Sequence, residues 1–201
     1  MSYKIGVLAL QGDFDLHCQV MNKLGHTPLL VKTVPELKKC DALIMPGGES
    51  TTVRRLANEL ALTESLKEFG QNKPIMGTCA GLILLAKKIQ NSDEPTLGLL
   101  DITVKRNAYG RQINSFTRTG KLLGLDGMSE FEMVFIRAPL ISRVGSNVEQ
   151  VGFLGEQVVV VRNQNILGLS FHPELTSDTR LHQYFLNKFL TTKPTQAKLV
   201  R

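Results

Sequence analysis

The amino-acid sequence predicts a three-layer α/β fold. Helices flank a mostly parallel central sheet, and an additional antiparallel β portion lies in the C-terminal half. Two observations support this prediction. In the first 90 residues, short apolar runs alternate with amphipathic segments of helical length, which favours parallel strands connected by helices. After about residue 100, β-like runs follow one another and are separated by Gly, Asn and Asp, as hairpin connections require.

In the alternating half, each apolar run predicts a strand and each amphipathic segment predicts a helix. Pro-Gly-Gly at 46–48 ends the third strand, because proline and glycine interrupt regular structure. The predicted strands cover residues 5–10, 28–31, 42–45 and 74–77. The predicted helices cover residues 14–24, 34–39 (a short helix or turn), 50–69 with a break near Leu62 and Thr63, and 80–89.

The second half is predicted to be mainly β-structure closed by one helix. Its predicted strands cover residues 102–105, 133–136, 148–154, 157–162 and 166–170, and an amphipathic helix covers 178–190. No internal repeat or Pro/Gly/Ser-rich linker interrupts the chain. We therefore expect a single domain over residues 1–190 and a polar, flexible tail over 191–201.

Composition excludes several classes of function. The chain has 201 residues, of which 42% are hydrophobic and 21% charged, as in ordinary globular proteins. No run of about 18 uncharged apolar residues is present, so we expect no membrane-spanning helix. The net charge is +6, but the basic residues are scattered and Trp is absent, which argues against nucleic-acid binding.

The cysteines indicate a reducing compartment. Cys18, Cys40 and Cys79 are odd in number and far apart, which is unsuited to a disulfide framework. No CxxC or paired Cys/His spacing indicates a metal site. The first residues are typical of a β-strand rather than of a signal peptide. We therefore expect a cytoplasmic protein.

The segment Gly77-Thr78-Cys79-Ala80-Gly81 joins a predicted strand to a predicted helix. Glycines two residues before and after Cys79 allow a sharp turn without Cβ clashes, as in a nucleophile elbow. The N-terminus of a helix favours a thiolate, and the N–H of the following residue is free to stabilise an oxyanion. The alternative is a buried structural cysteine, since free cysteines are commonly buried.

A second candidate is the segment from Pro46 to Thr52, Pro-Gly-Gly-Glu-Ser-Thr-Thr, after the third strand. Its two glycines let the backbone approach a ligand closely, and their N–H groups could form part of an oxyanion hole. A phosphate loop is not indicated, because the G-x-x-x-x-G-K-[ST] pattern is missing. The alternative is a structural turn followed by a helix N-cap at Ser50 or Thr51, and such a turn is compatible with a functional loop.

The third candidate is Ser170-Phe171-His172-Pro173-Glu174, after the last strand. In an extended segment, residues two apart project to the same side, so Glu174 can orient one imidazole nitrogen of His172 and leave the other for Cys79. A lone histidine is more commonly structural. His17 and His182, which lie on predicted helices, and His26, after Gly25, illustrate that interpretation.

Together and in this order, the three motifs resemble those of the class I (triad) glutamine amidotransferases. Within that class the chain is similar to the glutaminase subunits of pyridoxal 5′-phosphate synthases, from Ile5 to about Leu190. Many relatives have Cys-Leu-Gly-x-Gln at the elbow, whereas this chain has Cys-Ala-Gly-Leu-Ile, which favours the vitamin B6 branch. Besides the three motifs, the matching pieces are Leu10-Gln11-Gly12, Arg106-Asn107, Gly110-Arg111-Gln112, Ser115-Phe116 and Phe135-Ile136-Arg137-Ala138-Pro139.

The resemblance implies hydrolysis of L-glutamine through a γ-glutamyl thioester, without a cofactor or metal. It implies that Cys79 is the nucleophile, that His172 is the base and then the acid, and that Glu174 orients His172. The implied oxyanion donors are backbone N–H groups of Gly47, Gly48 and Ala80. The implied glutamine pocket consists of Gly47, Gly48, Glu49, Arg106, Ile136 and Arg137.

The resemblance also implies a partner. Ammonia would pass to a TIM-barrel synthase subunit that builds pyridoxal 5′-phosphate, and Gln11 would lie near the interface with it. The residues leave two alternatives open. One is a cysteine hydrolase or protease with a related elbow, and the other is a non-catalytic subunit that retained the fold.

Overall fold

The fold consists of two β-sheets with helices packed on either side. The computed structural model describes residues 3–106, 115–123 and 130–191. The strands are β1 (Ile5–Leu8), β2 (Leu29–Val31), β3 (Ala42–Met45), β4 (Ile75–Thr78), β5 (Ala86–Ile89), β6 (Leu100–Lys105), β7 (Ser115–Leu122), β8 (Glu130–Ile136), β9 (Leu140–Val144), β10 (Glu149–Leu154), β11 (Gln157–Arg162) and β12 (Ile166–Leu169). The α-helices are α1 (Phe14–Lys23), α2 (Val34–Lys38), α3 (Ser50–Glu59), α4 (Thr63–Asn72), α5 (Ala80–Leu85) and α6 (Arg180–Leu186).

The large sheet has the strand order β2-β1-β3-β4-β12-β11-β10-β7-β8. Strands β2, β1, β3, β4 and β12 are parallel, and the sheet continues through β11, β10, β7 and β8 as antiparallel pairs. A smaller sheet has the order β5-β6-β9. The predicted α/β class, with an antiparallel portion in the C-terminal half, is confirmed.

Two apolar cores lie on the two faces of the large sheet. One contains Val20 and Met21 of α1 together with Phe185 of α6, and the other contains Val53 of α3 and Leu82 of α5. Every residue of β1, β3, β4 and β12 is buried, as expected for parallel strands covered on both faces. These layers explain the continuous apolar runs in the sequence. No helix in the described ranges is both long and apolar enough to span a membrane.

The structure corrects several predicted boundaries. The predicted helix over 80–89 ends at Leu85, and Ala86–Ile89 forms β5 beside β6. A short apolar run does not by itself distinguish a buried helix from a strand. The break near Leu62 and Thr63 is confirmed, since α3 ends at Glu59 and α4 begins at Thr63.

Two other strands, β7 and β9, are also absent from the sequence prediction. β7 contains few apolar residues, and only two of its eight residues are buried. It is held by antiparallel pairing with β8, from Ser115↔Ile136 to Lys121↔Glu130.

The C-terminal helix begins at Arg180 and continues from Asn187 as a π-helical turn. The segment 107–114 and the tail after 191 lie outside the described residues.

This topology brings the three sequence motifs together. Parallel strands end at the same edge of a sheet, and here Gly47 follows β3, Cys79 follows β4 and His172 follows β12. β3, β4 and β12 are direct neighbours. The carboxyl edge at the centre of the sheet is therefore the candidate site, as is common in open α/β folds.

Candidate active site

Cys79 is held in a strained turn between β4 and α5. Its backbone has φ 47° and ψ −100°, a conformation that costs a non-glycine residue about 1–3 kcal/mol. The flanking glycines are required by close packing. A Cβ at Gly77 would lie 2.3 Å from Cδ1 of Leu85, and one at Gly81 would lie 2.2 Å from the carbonyl oxygen of Met45. The turn therefore has the geometry that the glycine spacing predicts.

His172 and Glu174 form a buried hydrogen-bonded pair. Nδ1 of His172 lies 2.7 Å from Oε1 of Glu174, and the His172 backbone N–H donates to the carbonyl oxygen of Val134. The segment from Pro173 to Leu175 is a 3₁₀ turn and not the extended strand assumed in the sequence argument. The predicted partners are correct, but a tight turn brings them together.

The pair fixes the roles of the two imidazole nitrogens. An ionised carboxylate only accepts hydrogen bonds, so Nδ1 of His172 is the donor to Glu174. Nε2 is buried and has no hydrogen-bond partner among the described residues. This nitrogen is the one left for Cys79.

The electrostatics favour charge on both members of the pair. Burial opposes protonation of His172, but the Cys79 sulfur and the Glu174 carboxylate outweigh it and raise the pKa of His172 to about 10. Burial also opposes ionisation of Glu174, but His17 and His172 keep the pKa of its carboxyl below the ordinary value. An imidazolium beside a carboxylate is therefore the stable arrangement.

A cavity of about 340 Å³ opens above this pair, which is large enough for a small-molecule ligand. Its apolar wall includes Ile83 and Ile136, and Arg137 supplies a cation. The cavity is lined by Gln11, Gly12, Asp13, Gly48, Glu49, Ser50, Cys79, Ile83, Ile136, Arg137 and His172.

Most of the predicted glutamine-pocket residues lie at this cavity. Gly48, Glu49, Ile136 and Arg137 line it, and the carbonyl oxygen of Ile136 is 3.7 Å from Sγ of Cys79. Gly47 lies against the His172 ring. Their role in binding glutamine stays a prediction.

Arg106 makes its described contacts beside the cavity and not at its lining. Its guanidinium forms two hydrogen bonds with Glu94, at 2.9 and 2.8 Å, and it is not among the residues that line the cavity. Glu94 also pairs with Arg54, so two cations share one carboxylate. Arg106 reaches Thr51 Oγ1 at 3.3 Å, so it supports the first turn of α3 beside the cavity. The charge pattern along the chain contains no indication of this long-range pairing.

The Gly47-Gly48 loop packs tightly against the segment after β1. A Cβ at Gly12 would lie 1.8 Å from the carbonyl oxygen of Gly47, and Gly48 has φ 150°. The N–H of Glu49 donates to Oε1 of Gln11 at 2.7 Å. Gln11, predicted near an interface, thus lines the cavity and holds the loop.

Glu49 is engaged in the structure of its own helix. Its carboxylate accepts hydrogen bonds from the backbone N–H groups of Thr51 and Thr52 and from the Thr52 hydroxyl. Hydrogen bonding by Thr52 is the main reason that the pKa of Glu49 falls to about 2. The carboxylate, rather than Ser50 or Thr51, therefore caps α3.

Asp13 was not identified from the sequence. Its Oδ2 lies 3.7 Å from Nδ1 of His172 at the rim of the cavity. Asp13, His172 and Glu174 bring three possible metal-ligand atoms within 4.8 Å of one another. However, the Nδ1 proton of His172 is directed at Glu174, so this nitrogen has no free lone pair for a metal. The only signal for Asp13 was its position two residues after Gln11.

Comparison with known proteins places this chain in a family. A family model described as the SNO glutamine amidotransferase family matches residues 7–191. A relative from Oenococcus oeni, named pyridoxal 5′-phosphate synthase subunit PdxT, is 48% identical over 92% of this chain and 96% of its own length. A relative of the same name from Brevibacillus brevis is 49% identical, again over 92% and 96%.

A solved structure shows the same likeness. A crystal structure of a glutamine amidotransferase superposes with a TM-score of 0.86 at 44% sequence identity, covering 91% of this chain and 97% of its own. A structure of PurLQS from Thermotoga maritima is 17% identical with a TM-score of 0.73, covers 94% of this chain and 99% of its own, and shows the fold alone.

Proposed function

This chain belongs to the SNO glutamine amidotransferase family, and from that membership we propose that it is the glutaminase subunit of a pyridoxal 5′-phosphate synthase. It hydrolyses L-glutamine to glutamate and ammonia, and it delivers the ammonia to a synthase subunit for vitamin B6 biosynthesis. One observation carries the proposal. The strained Cys79 turn and the buried His172–Glu174 pair meet at one cavity, which also contains a cation, Arg137.

In the proposed first half-reaction, Sγ of Cys79 attacks the carboxamide carbon of glutamine. A C–S bond forms, and the electron pair of the carbonyl bond moves to oxygen. The N–H of Ala80 and those of the Gly47-Gly48 loop would stabilise this oxyanion. His172 Nε2 holds the proton from the thiol and gives it to the leaving nitrogen, so the C–N bond breaks and ammonia departs.

In the second half-reaction, water attacks the thioester carbon. His172 accepts a proton from this water through Nε2, and the tetrahedral intermediate collapses with cleavage of the C–S bond. Glutamate is released, and the proton returns to the Cys79–His172 pair. Glu174 keeps Nε2 directed at the reaction centre by accepting the Nδ1 proton throughout.

Substrate orientation depends on Arg137 in this proposal. A guanidinium binds a carboxylate with two parallel hydrogen bonds, which suits the α-carboxylate of glutamine. Arg137 lines the cavity, whereas the guanidinium of Arg106 is occupied by Glu94. We therefore assign the α-carboxylate to Arg137 and propose that Arg106 holds the first turn of α3 through Thr51.

The partner is proposed from the family. Relatives of this chain are named as subunits of a synthase, and the sequence resemblance implies a TIM-barrel partner that accepts ammonia. Gln11, which bonds to Glu49 N–H, remains our candidate for a residue near the interface. The proposed location of the complex is the cytoplasm.

The test is a glutaminase assay with and without a synthase subunit from the same source. We expect glutamate and ammonia in equal amounts, with a higher rate when the synthase is present. If peptides or esters were cleaved and glutamine were not, the chain would be a different kind of cysteine hydrolase. If none of these substrates were turned over, the chain would be a non-catalytic subunit.

A further inference from the structure

A second histidine lies behind the His172–Glu174 pair. His17 on α1 is fully buried, and its Nε2 is 3.4 Å from Oε2 of Glu174 and 3.2 Å from Oγ1 of Thr78. Its other nitrogen, Nδ1, is 3.0 Å from Nε2 of His182 on α6. Thr78 immediately precedes Cys79. His17 therefore contacts both segments that carry the proposed catalytic groups.

The neighbours of His17 determine its tautomer. An ionised Glu174 only accepts, so the tautomer that suits the 3.4 Å approach of His17 Nε2 to Oε2 carries its proton on Nε2, and Thr78 Oγ1 at 3.2 Å is a second acceptor for that proton. A bare Nε2 would place its lone pair against the carboxylate. Nδ1 of His17 then accepts from Nε2–H of His182, and Nδ1 of His182 is left as a bare lone pair. That atom is indeed buried without a hydrogen-bond partner among the described residues.

His17 is neutral in this arrangement. Burial is the main reason that the pKa of His17 lies below its ordinary value, with His172 adding to the effect and Glu174 and Asp13 opposing it. A neutral His17 stabilises the negative charge of Glu174 as a donor. A charged His17 would instead compete with the His172 imidazolium for the same carboxylate. The proton of the pair therefore stays with His172.

Glu174 needs such a donor. Its Oε1 bonds to His172, but its Oε2 is buried and has no hydrogen-bond partner among the described residues. An unsatisfied oxygen of a buried carboxylate destabilises the ionised form and leaves the group free to rotate. His17 Nε2 faces that oxygen.

We propose that His17 is a positioning residue for the glutaminase reaction, holding Oε2 of Glu174 so that Oε1 stays directed at Nδ1 of His172. This inference rests on the proposed function and adds a fourth residue to the three proposed from the sequence. His17 is not among the residues that line the cavity, so it acts through Glu174 and not on substrate.

The first test compares donor-free and donor-retaining variants in the complex with the synthase subunit. His17→Leu removes the donor, whereas His17→Gln places an amide N–H near the position of Nε2. We expect kcat for glutamine hydrolysis to fall about 10- to 100-fold in His17→Leu, the effect of losing a polar contact with a buried charged group. KM should be unchanged, and His17→Gln should restore most of kcat.

The second test asks whether the effect passes through Glu174. In a Glu174→Gln background, His17→Leu should cause little further loss of kcat, because the carboxylate on which it acts is gone. Val20→Ala on the same helix is the matched control, since Val20 is a buried core residue outside the site. It should lower the thermal midpoint and leave kcat unchanged.

A spectroscopic readout is independent of substrate and partner. The proton between His172 Nδ1 and Glu174 Oε1 should give a far-downfield proton resonance in the wild-type chain and in His17→Gln, and should lose it in His17→Leu. If His17→Leu fails to fold, His17→Asn replaces it, because its shorter amide can still meet His182 but ends short of Glu174.

The outcomes are distinct. Wild-type kcat and an unchanged resonance in His17→Leu would overturn the inference, as would a fully additive loss in the Glu174→Gln background. Failure of His17→Gln to restore kcat would also contradict it. If the wild-type complex released no ammonia, the proposed function would fail, and the resonance would still decide whether His17 positions Glu174.

Discussion

Gly47 lies so close to His172 that a Cβ at position 47 would be 2.3 Å from Cε1 of the imidazole. The loop after β3 therefore supports the ring of the proposed base directly. A backbone without a side chain is required at this point, because any larger residue would occupy the space of the ring.

Gly47→Ala tests this relationship. The added methyl group should displace the His172 ring, and a misplacement of about 1 Å lowers rates on the order of 100-fold. We expect kcat to fall by about this factor, whereas the thermal midpoint should change little. Steady-state kinetics and thermal unfolding measure the two effects. Unchanged kcat would show that the ring can shift without loss of function.

Cys79→Ala should abolish glutamine hydrolysis while leaving the fold and partner binding intact, because the proposed thioester cannot form. Ammonia release and co-purification with the synthase subunit measure the two effects. Cys18→Ala is the matched control, since Cys18 is a partly buried cysteine of α1 that packs on the core. Substantial turnover by Cys79→Ala would rule out Cys79 as the nucleophile.

Glu174→Gln should lower kcat because a neutral amide stabilises and orients the imidazolium of His172 less well. The loss in a comparable triad reaches about 10⁴-fold, and we expect between about 10²- and 10⁴-fold here. Single-turnover kinetics with glutamine would measure it. Full activity of this variant would contradict the triad even if Cys79 were the nucleophile.

Arg137→Gln should raise KM for glutamine about 10- to 100-fold, because a charge-assisted contact with the α-carboxylate would be lost. Arg106→Gln is the comparison. Its guanidinium is bound to Glu94, so we expect a smaller rise in KM and a lower thermal midpoint. The reverse order of the two KM values would restore Arg106 as the substrate-binding arginine.

His182 should make the fold sensitive to acid. Burial, with His17 adding to it and Glu174 opposing, lowers the pKa of His182 to about 3, against 6.5 in an unfolded chain. The folded-state pKa is depressed, so the stability that neutral His182 contributes is present above pH 6.5 and is lost as the pH falls toward 3. Between pH 7 and pH 5 this loss is about 2 kcal/mol.

His182→Leu removes the titrating group and should flatten the decline of stability over that range. Urea unfolding of the variant and the wild-type chain at pH 7 and pH 5 gives the comparison. His26→Leu is the control, because this histidine is partly exposed. An equally steep decline in His182→Leu would show that other groups govern the acid response.

The succession of strands and helices in the first half of the chain and the glycine-flanked turn at Cys79 were predictable because their causes are local. Apolar runs, glycine spacing and the His-Pro-Glu segment are properties of neighbouring residues. The 80–89 segment shows the limit of such signals, since Ala86–Ile89 becomes a strand only by pairing with Leu100–Lys105. β7 likewise depends on its pairing with β8.

At the site, the sequence determined which residue types can perform the chemistry, namely Cys79, His172, Glu174 and the Gly47-Gly48 loop. Only the tertiary structure decided how the remaining polar residues are used. Arg106 pairs with Glu94, and His17 lies 3.4 Å from Glu174 although 157 positions separate them in the chain. The order of the strands in the sheet decides which distant residues become neighbours. The spacing of residues along the chain carries no information about that order.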